Sequence, residues 1–296
     1  MKLPGKISQS KIISERTILY IWQACVNLKK SRIWTKSMYR TCITFLLRQN
    51  YFIFCIYSMS VERKDNITIV SGYWPVRNKH AHKDYCKWFE NTLKINQRMY
   101  FFCDPPTKDL ILPYRENLET IFVEHPIKQF YSNNFYSKFW VNQYELPSTD
   151  LGKILHEKIN LMKLAKDMDG ENATEFYVWY DAAASLFRNE PPPSIRLSLK
   201  NLNVAPHNKI WYSSPYPSNC NHSYANTIHI IHKDLIDDIH TLYYRVLKKV
   251  ASSKSKDWQY GSDKMVFTEL MKEYPQLFCN IATGYGENIR QLYNFV

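Results

Sequence analysis

The chain has 296 residues, of which 39 are lysine or arginine and 27 are aspartate or glutamate, so its formal net charge is +12. Hydrophobic residues make up 45% and aromatic residues 15%, a composition that excludes collagen-like, disordered and small disulfide-rich proteins. Only 7 residues are glycine, where average usage gives about 21. These glycines form neither a GxGxxG nor a GxxxxGK pattern, so a dinucleotide fingerprint and a P-loop are excluded, and any phosphate has to be held by other means.

The positive charge is concentrated at the amino terminus. Residues 1–58 contain ten basic residues and one acidic residue, whereas residues 59–296 contain 29 basic and 26 acidic residues. A nucleic-acid-binding domain concentrates basic residues on its fold. We therefore expect no nucleic-acid partner for the nearly balanced body of the chain.

Residues 1–58 are interpreted as a basic and apolar leader, with three alternatives for its role. Its apolar stretch 41–58 is interrupted by Arg48, and a spanning helix needs about 20 mostly apolar residues, so the first alternative is only a weak signal-anchor. The second is an amphipathic helix that lies on a membrane surface. The third, which we favour, is a leader that adds little to the fold, with Met59 as the natural start of a domain over residues 59–296.

The seven cysteines are scattered, odd in number and without a CxxC pair. This usage indicates neither a zinc knuckle nor a disulfide framework. Reduced, scattered thiols favour a cytoplasmic protein, with weak membrane association through residues 1–58 as an option.

The body of the chain alternates predicted strands and helices, which indicates a doubly wound α/β sheet with sites at the carboxyl ends of the strands. His229 and His232 are three residues apart on one predicted strand, so we expect them on opposite faces and not as a shared metal site. In chain order, hydrophobic patterning predicts a strand at 66–73, a helix at 84–95, a strand at 98–103, strand pieces at 110–112 and 120–124 around a helix near 114–118, a partly helical segment at 132–144, a helix at 151–167, strands at 176–180, 208–212 and 227–231, and helices at 234–249 and 264–274.

Aspartates at the ends of predicted elements are the candidate site residues. Asp181 follows the apolar strand 176–180 and precedes small residues that leave room for a ligand, and a carboxylate there needs a partner or a cation. The alternative is an Asp that caps the next helical turn. Asp263 has the same ambiguity, because Ser262 or Asp263 would be an ordinary N-cap of the next helix. Asp104 also lies at a strand end.

Several segments together resemble the HtrL/YibB family, which is similar to glycosyltransferases of the GT-A fold. The resemblance covers roughly residues 66–285 and depends most on a tryptophan-x-aspartate followed by small residues and on a later aspartate before a helix that ends in YPQLF. Family members usually have glutamine where this chain has Lys264. The quoted segments are TIVSGYWPVR, KDYCKWFENTLKINQRMYFFCDP, KILHEKINLMKLA, FYVWYDAAASLFR and YGSDKMVFTELMKEYPQLF.

The resemblance implies a GT-A-like mixed sheet and a glycosyltransferase that uses a nucleotide-sugar donor and a glycan acceptor. It implies Mn²⁺ or Mg²⁺ on Asp181, since these ions prefer oxygen ligands. Lys158 would contact the diphosphate, unless it lies on a solvated helix face, and Arg77 would reach the nucleotide. Asp263 would lie near the acceptor, either as the base of an inverting transfer or as a stabilising carboxylate.

The sequence leaves two other classes of protein open. One is a non-catalytic binding protein built on the same fold. The other is a nucleic-acid-associated protein that uses the basic leader.

Overall fold

The computed structural model describes residues 66–135, 146–199, 206–215, 228–252 and 262–293. The predicted leader, the boundary at Met59 and most of the partly helical segment 132–144 lie outside the described residues. Among the described residues, no helix combines the length and the apolar character that crossing a membrane would require.

The described residues contain seven strands and five α-helices, with short 3₁₀ turns between them. The strands are β1 (Ile67–Tyr73), β2 (Met99–Cys103), β3 (Thr120–Glu124), β4 (Phe176–Tyr180), β5 (Ile210–Ser214), β6 (Ile228–His232) and β7 (Phe278–Thr283). The helices are α1 (His82–Thr92), α2 (Pro105–Ile111), α3 (Thr149–Asp169), α4 (Ile236–Ser252) and α5 (Asp263–Glu273).

All seven strands form one sheet in the order β3-β2-β1-β4-β6-β5-β7. Strands β1 to β4 pair in parallel, β6 runs antiparallel to both β4 and β5, and β5 pairs in parallel with β7. The prediction of an α/β fold with a mixed sheet flanked by helices is therefore confirmed. Because the chain passes from β1 to β2 on one side and later adds β4 on the other, the carboxyl ends of β1 and β4 border the switch point where ligands bind in such sheets.

Helices cover both faces of the sheet, which explains why its central strands are apolar on both sides. In β4, Tyr177 and Trp179 pack with the hydrophobic residues of α3, α4 and α5, whereas Phe176, Val178 and Tyr180 pack on the opposite face with α1. Every residue of β4 is buried. The switch-point end of β4 is thus held from both sides.

Most of the predicted elements are present, and the exceptions have local causes. The predicted strand at 110–112 is wrong, since these residues end α2 and begin a 3₁₀ turn at 112–115. Two prolines begin α2, where their missing N–H groups cost nothing, and Asp104 caps it by accepting from the Thr107 amide at 3.2 Å. Strand β7 was not predicted, because only Phe278 in it is buried and its hydrophobic pattern is weak.

Candidate functional site

A cleft of about 380 Å³ opens at the carboxyl ends of β1 and β4. This is the edge of the sheet at which the sequence predicted a site. Its walls are the ends of these strands, the first half of α3, the start of α5 and the loops after β1 and β4. The residues that line it are Gly72, Tyr73, Trp74, Asn78, Lys79, His80, Tyr85, Leu151, Ile154, Leu155, Lys158, Trp179, Asp181, Ala182, Ala183, Arg188, Ser262, Lys264 and Tyr285.

Three of the four predicted site residues meet in one cluster at the base of the cleft. The ammonium Nζ of Lys158 lies 3.1 Å from Oδ1 of Asp181 and 2.9 Å from Oδ2 of Asp263. The Lys158 side chain is only 2% exposed, so the alternative that placed it on a solvated helix face is wrong. We call Lys158, Asp181 and Asp263 the lysine cluster.

Each member of the lysine cluster is placed by the end or the face of a regular element. Lys158 projects from α3 over the ring of Trp179, with Nζ 5.7 Å from the ring centroid. Asp181 follows β4, and its Oδ1 accepts a hydrogen bond of 2.7 Å from the indole N–H of Trp179. Asp263 is the first residue of α5, and the N-cap position is taken by Ser262.

The lysine cluster contains two carboxylates for one ammonium. Burial alone lowers the pKa of Lys158, but the two aspartates outweigh burial and raise that pKa above its ordinary value, which keeps the ammonium protonated. Burial raises the pKa of Asp181, against the opposite effects of Lys158 and Trp179. The nearby His229 is fully buried, and both burial and Lys158 hold its pKa well below the ordinary value, so its imidazole is neutral.

Arg77, the fourth predicted site residue, is not brought into the cleft. Its side chain is exposed and is not part of the lining, while its backbone carbonyl accepts a 2.7 Å hydrogen bond from Ser148 Oγ. The residues that follow it, Asn78 to His80, line the cleft instead. The proposed contact of Arg77 with a nucleotide stays a prediction.

The cleft also contains basic side chains that were not predicted. Arg188 stacks on Trp88, with its guanidinium carbon 3.7 Å from the ring centroid, and donates from Nε to the Ala183 carbonyl at 3.0 Å. Together with Lys79 and Lys264 it lines the cleft. The only signal in the sequence was a basic residue shortly after a strand-end aspartate, which is too common to be specific.

A glycine at the end of β1 allows the aromatic wall of the cleft to form. A Cβ at Gly72 would lie 2.7 Å from the Trp74 ring and 2.8 Å from the Phe102 carbonyl oxygen. The carbonyl belongs to the neighbouring strand and cannot give way cheaply, so only glycine lets Trp74 fold back over the strand. Trp74 is fixed there by donating from its indole N–H to the His125 carbonyl at 3.0 Å.

The side chains that line the cleft do not form a ligand set suited to a resident divalent cation. Mg²⁺ and Mn²⁺ prefer several oxygen ligands, but among the described lining residues Asp181 is the one carboxylate. Its Oδ1 already meets the Trp179 N–H and the Lys158 ammonium. Four basic side chains also line the same space. The predicted use of Mn²⁺ or Mg²⁺ therefore stays a prediction, and the described lining side chains do not support it.

A second polar cluster lies at the other end of β4, where Glu175, His207 and His232 place their potential ligand atoms within 4.8 Å of one another. In a tetrahedral zinc site the ligand atoms lie about 3.3 Å apart, given bonds of about 2.0–2.1 Å, which is closer than the limit of 4.8 Å within which these three atoms lie. The two imidazole rings of this cluster stack, with centroids 5.7 Å apart.

His232 and His229 lie on opposite faces of β6, as predicted, since His232 packs on Phe176 and His229 on Phe267.

Comparisons with known proteins give only distant likenesses. No family model matches the chain, and none of the curated proteins matches it. Mouse xyloside xylosyltransferase 1 has 10% identity over 73% of this chain and 84% of its own, with a TM-score of 0.45. The PaToxG glycosyltransferase has 12% identity over 71% and 68%, with a TM-score of 0.39.

A third structure is the 4-diphosphocytidyl-2C-methyl-D-erythritol synthase of Anaerococcus prevotii, with 10% identity over 76% of this chain and 95% of its own and a TM-score of 0.34. At this distance the likenesses say nothing about the reaction of this chain. The reaction has to be argued from the cleft itself.

Proposed function

We propose that the protein is a glycosyltransferase that moves a sugar from a nucleotide-sugar donor to a glycan or another acceptor. The observation that carries this proposal is the cleft at the carboxyl ends of β1 and β4, where four basic side chains and one carboxylate among the described residues surround about 380 Å³. Such a surplus of positive charge suits a diphosphate, which the chain cannot hold with a glycine-rich loop.

The basic side chains account for binding of the donor's diphosphate and for its departure. Lys158 lies at the base of the cleft, and Lys264 lies in the first turn of α5, where the helix dipole adds a positive field. When the bond between the sugar and the diphosphate breaks, its electron pair stays on the diphosphate. Cations already in place stabilise the charge that develops there.

Aromatic side chains account for the uncharged parts of the donor. Trp74, Tyr85 and Tyr285 line the cleft, and flat apolar surfaces of this kind bind bases and sugar faces. Asp181 is the lining carboxylate and faces the reacting sugar in this proposal. Asp263 lies behind Lys158 and is 0% exposed, which suits the stabilising role better than that of a base.

The experiment that tests this function is a binding panel on the full-length protein. UDP, GDP, CDP and ADP, with their sugar conjugates, are screened by thermal shift and then by titration calorimetry, with the corresponding nucleosides as matched controls. We expect one diphosphate to raise the melting temperature, since a ligand at about 100 times its Kd stabilises by about 2.7 kcal/mol. We expect its nucleoside to give no shift.

A second measurement separates an enzyme from a binding protein on the same fold. The nucleotide sugar that binds is incubated with the protein, and released nucleoside diphosphate is followed with and without candidate glycan acceptors. Turnover that rises with an acceptor supports a transferase. Binding without turnover with any acceptor favours the non-catalytic alternative, and no binding by any member of the panel overturns the proposed function.

A further inference from the structure

We infer that the Lys158 ammonium takes the part expected of a divalent cation, so that the cleft holds the donor's diphosphate without a metal ion. This inference rests on the proposed function, because it concerns how the same cleft binds the same donor. In this arrangement the Lys158 ammonium stands between the carboxylate and the diphosphate, where a metal ion would otherwise stand.

The first argument is the position of the ammonium. Nζ of Lys158 lies between Asp181 and Asp263, 3.1 and 2.9 Å from their oxygens, so the positive charge already occupies the space between the two carboxylates. The side chain is 2% exposed and still lines the cleft. A cation fixed in this way needs no reorganisation when the negative charge of the diphosphate arrives or grows.

The second argument is that the ammonium cannot easily be exchanged for a metal ion. A divalent cation on Asp181 Oδ1 would meet the Lys158 charge at close range, and like charges repel at such a distance. Moving Lys158 away would break its buried ion pair with Asp263, whose side chain is 0% exposed, and breaking a buried pair is strongly unfavourable. The fold therefore retains the lysine and disfavours the metal.

The third argument is the balance of charge in the cleft. Lys79, Arg188 and Lys264 line it together with Lys158, against one carboxylate among the described lining residues. A site that relied on a bound dication would need carboxylates to hold it. A site that binds a diphosphate directly needs the surplus of basic groups that is present.

The experiment measures diphosphate binding to the full-length protein in excess EDTA and again in excess Mn²⁺, by titration calorimetry with UDP, GDP, CDP, ADP and inorganic pyrophosphate. We expect the dissociation constant of the preferred diphosphate to agree within twofold in the two conditions. Mn²⁺ alone, titrated into the protein and followed by the electron paramagnetic resonance signal of the free ion, is expected to show no binding at the cleft.

A charge-matched double variant tests the role of Lys158. Combining Lys158→Met with Asp263→Asn leaves Asp181 alone and keeps the cluster at one net negative charge, so no pair of unpaired carboxylates is created. Circular dichroism checks the fold. We expect diphosphate binding in EDTA to weaken at least tenfold and Mn²⁺ to restore part of it. Lys153→Met is the matched control, since Lys153 is on the same helix, pairs with Asp150 and does not line the cleft.

The outcomes separate this inference from the proposed function. Diphosphate binding that requires Mn²⁺ in the wild-type protein overturns the inference and leaves the glycosyltransferase proposal in place. Equal binding by the folded double variant and the wild-type protein in EDTA overturns the role of Lys158. If the wild-type protein binds no diphosphate in either condition, the proposed function fails first and the inference falls with it.

Discussion

Helix α3 contributes to a buried ionic cluster near each end of the sheet, and the two clusters are satisfied to different degrees. Asp169, the last residue of α3, accepts from Arg98 at 2.6 Å and from the hydroxyls of Tyr100 and Tyr177 at 2.6 Å each. Both of its oxygens have donors, and its side chain is 2% exposed. Arg98 also lies 3.4 Å from the half-exposed Glu119. We call Asp169, Arg98, Tyr100 and Tyr177 the aspartate cluster, and it is closed because both oxygens of its buried acid have donors.

The lysine cluster lies about three turns closer to the start of α3 and is open to the cleft. It has two carboxylates for one ammonium, and the Asp181 side chain is 31% exposed to the cleft. The pKa of Asp169 lies below the ordinary value and that of Asp181 above it. A buried acid with donors on both oxygens stabilises a fold, whereas a carboxylate with a perturbed pKa that is exposed to a cleft indicates a binding site. One helix thus contributes to two ionic clusters that have different purposes.

The largest expected effect comes from opening the closed cluster. Asp169→Asn removes the charge that accepts hydrogen bonds from Arg98, Tyr100 and Tyr177 and should lower the free energy of unfolding by about 3 kcal/mol, because hydrogen bonds to a charged group contribute about 1.5–3 kcal/mol each. Urea denaturation measures this change. Asp167→Asn is the matched control, since its side chain is 45% exposed and such surface pairs contribute about 0–1 kcal/mol. Equal effects of the two variants would contradict the distinction.

The aspartate cluster should also make stability depend on acid pH. Burial raises the pKa of Asp169, but hydrogen bonds from Arg98, Tyr100 and Tyr177 outweigh it and hold the pKa below its ordinary 3.8. An acid with a lowered folded pKa contributes stability above its unfolded pKa, and that stability is lost as the pH falls through the folded pKa. Unfolding free energies measured from about pH 6 to about pH 2.5 should fall more steeply for the wild-type protein than for Asp169→Asn. Parallel curves would count against the argument.

The elements that the sequence predicts best are those whose signal is local. The apolar run Phe176–Tyr180 and the three- and four-residue spacing in α3 each indicate an element without reference to the rest of the chain, and both are present. Strand β7 was missed because its burial depends on the partner β5. Its own residues do not reveal that pairing.

The site shows the same limit. Asp181 is predictable because it directly follows a buried strand, but its meeting with Lys158 and Asp263 depends on how α3 and α5 lie against the sheet. Residue spacing does not encode that arrangement. Arg188 and Lys264 were missed because a basic residue in a loop or a first helical turn usually means a solvated surface.

A smaller effect is expected from removing one donor of the closed cluster. Tyr177→Phe deletes the hydroxyl that donates to Asp169 Oδ2 at 2.6 Å and leaves the ring in place, so the cost should be about 1.5 kcal/mol, as for a hydrogen bond to a charged group. Urea denaturation gives the cost, and titration calorimetry should show unchanged diphosphate binding. Weakened binding in the folded variant would mean that the two ends of the sheet are coupled.

The smallest change in the free energy of unfolding is expected from Asp181→Asn in the lysine cluster. The sign of this change is the informative part. Because burial raises the pKa of Asp181, the folded state binds that proton more tightly than the unfolded state. The stability that this group contributes is therefore present below the unfolded pKa and is lost as the pH rises through the folded one. At pH 7 the neutral asparagine should leave the free energy of unfolding equal to or slightly above that of the wild-type protein, while the proposed sugar transfer should fall because the cleft loses its lining carboxylate. The same Asp→Asn change would thus weaken the fold at position 169 and spare it at position 181. A loss at position 181 as large as that at position 169 would make the lysine cluster a structural ion pair, and the difference between the two clusters would then no longer identify a binding site.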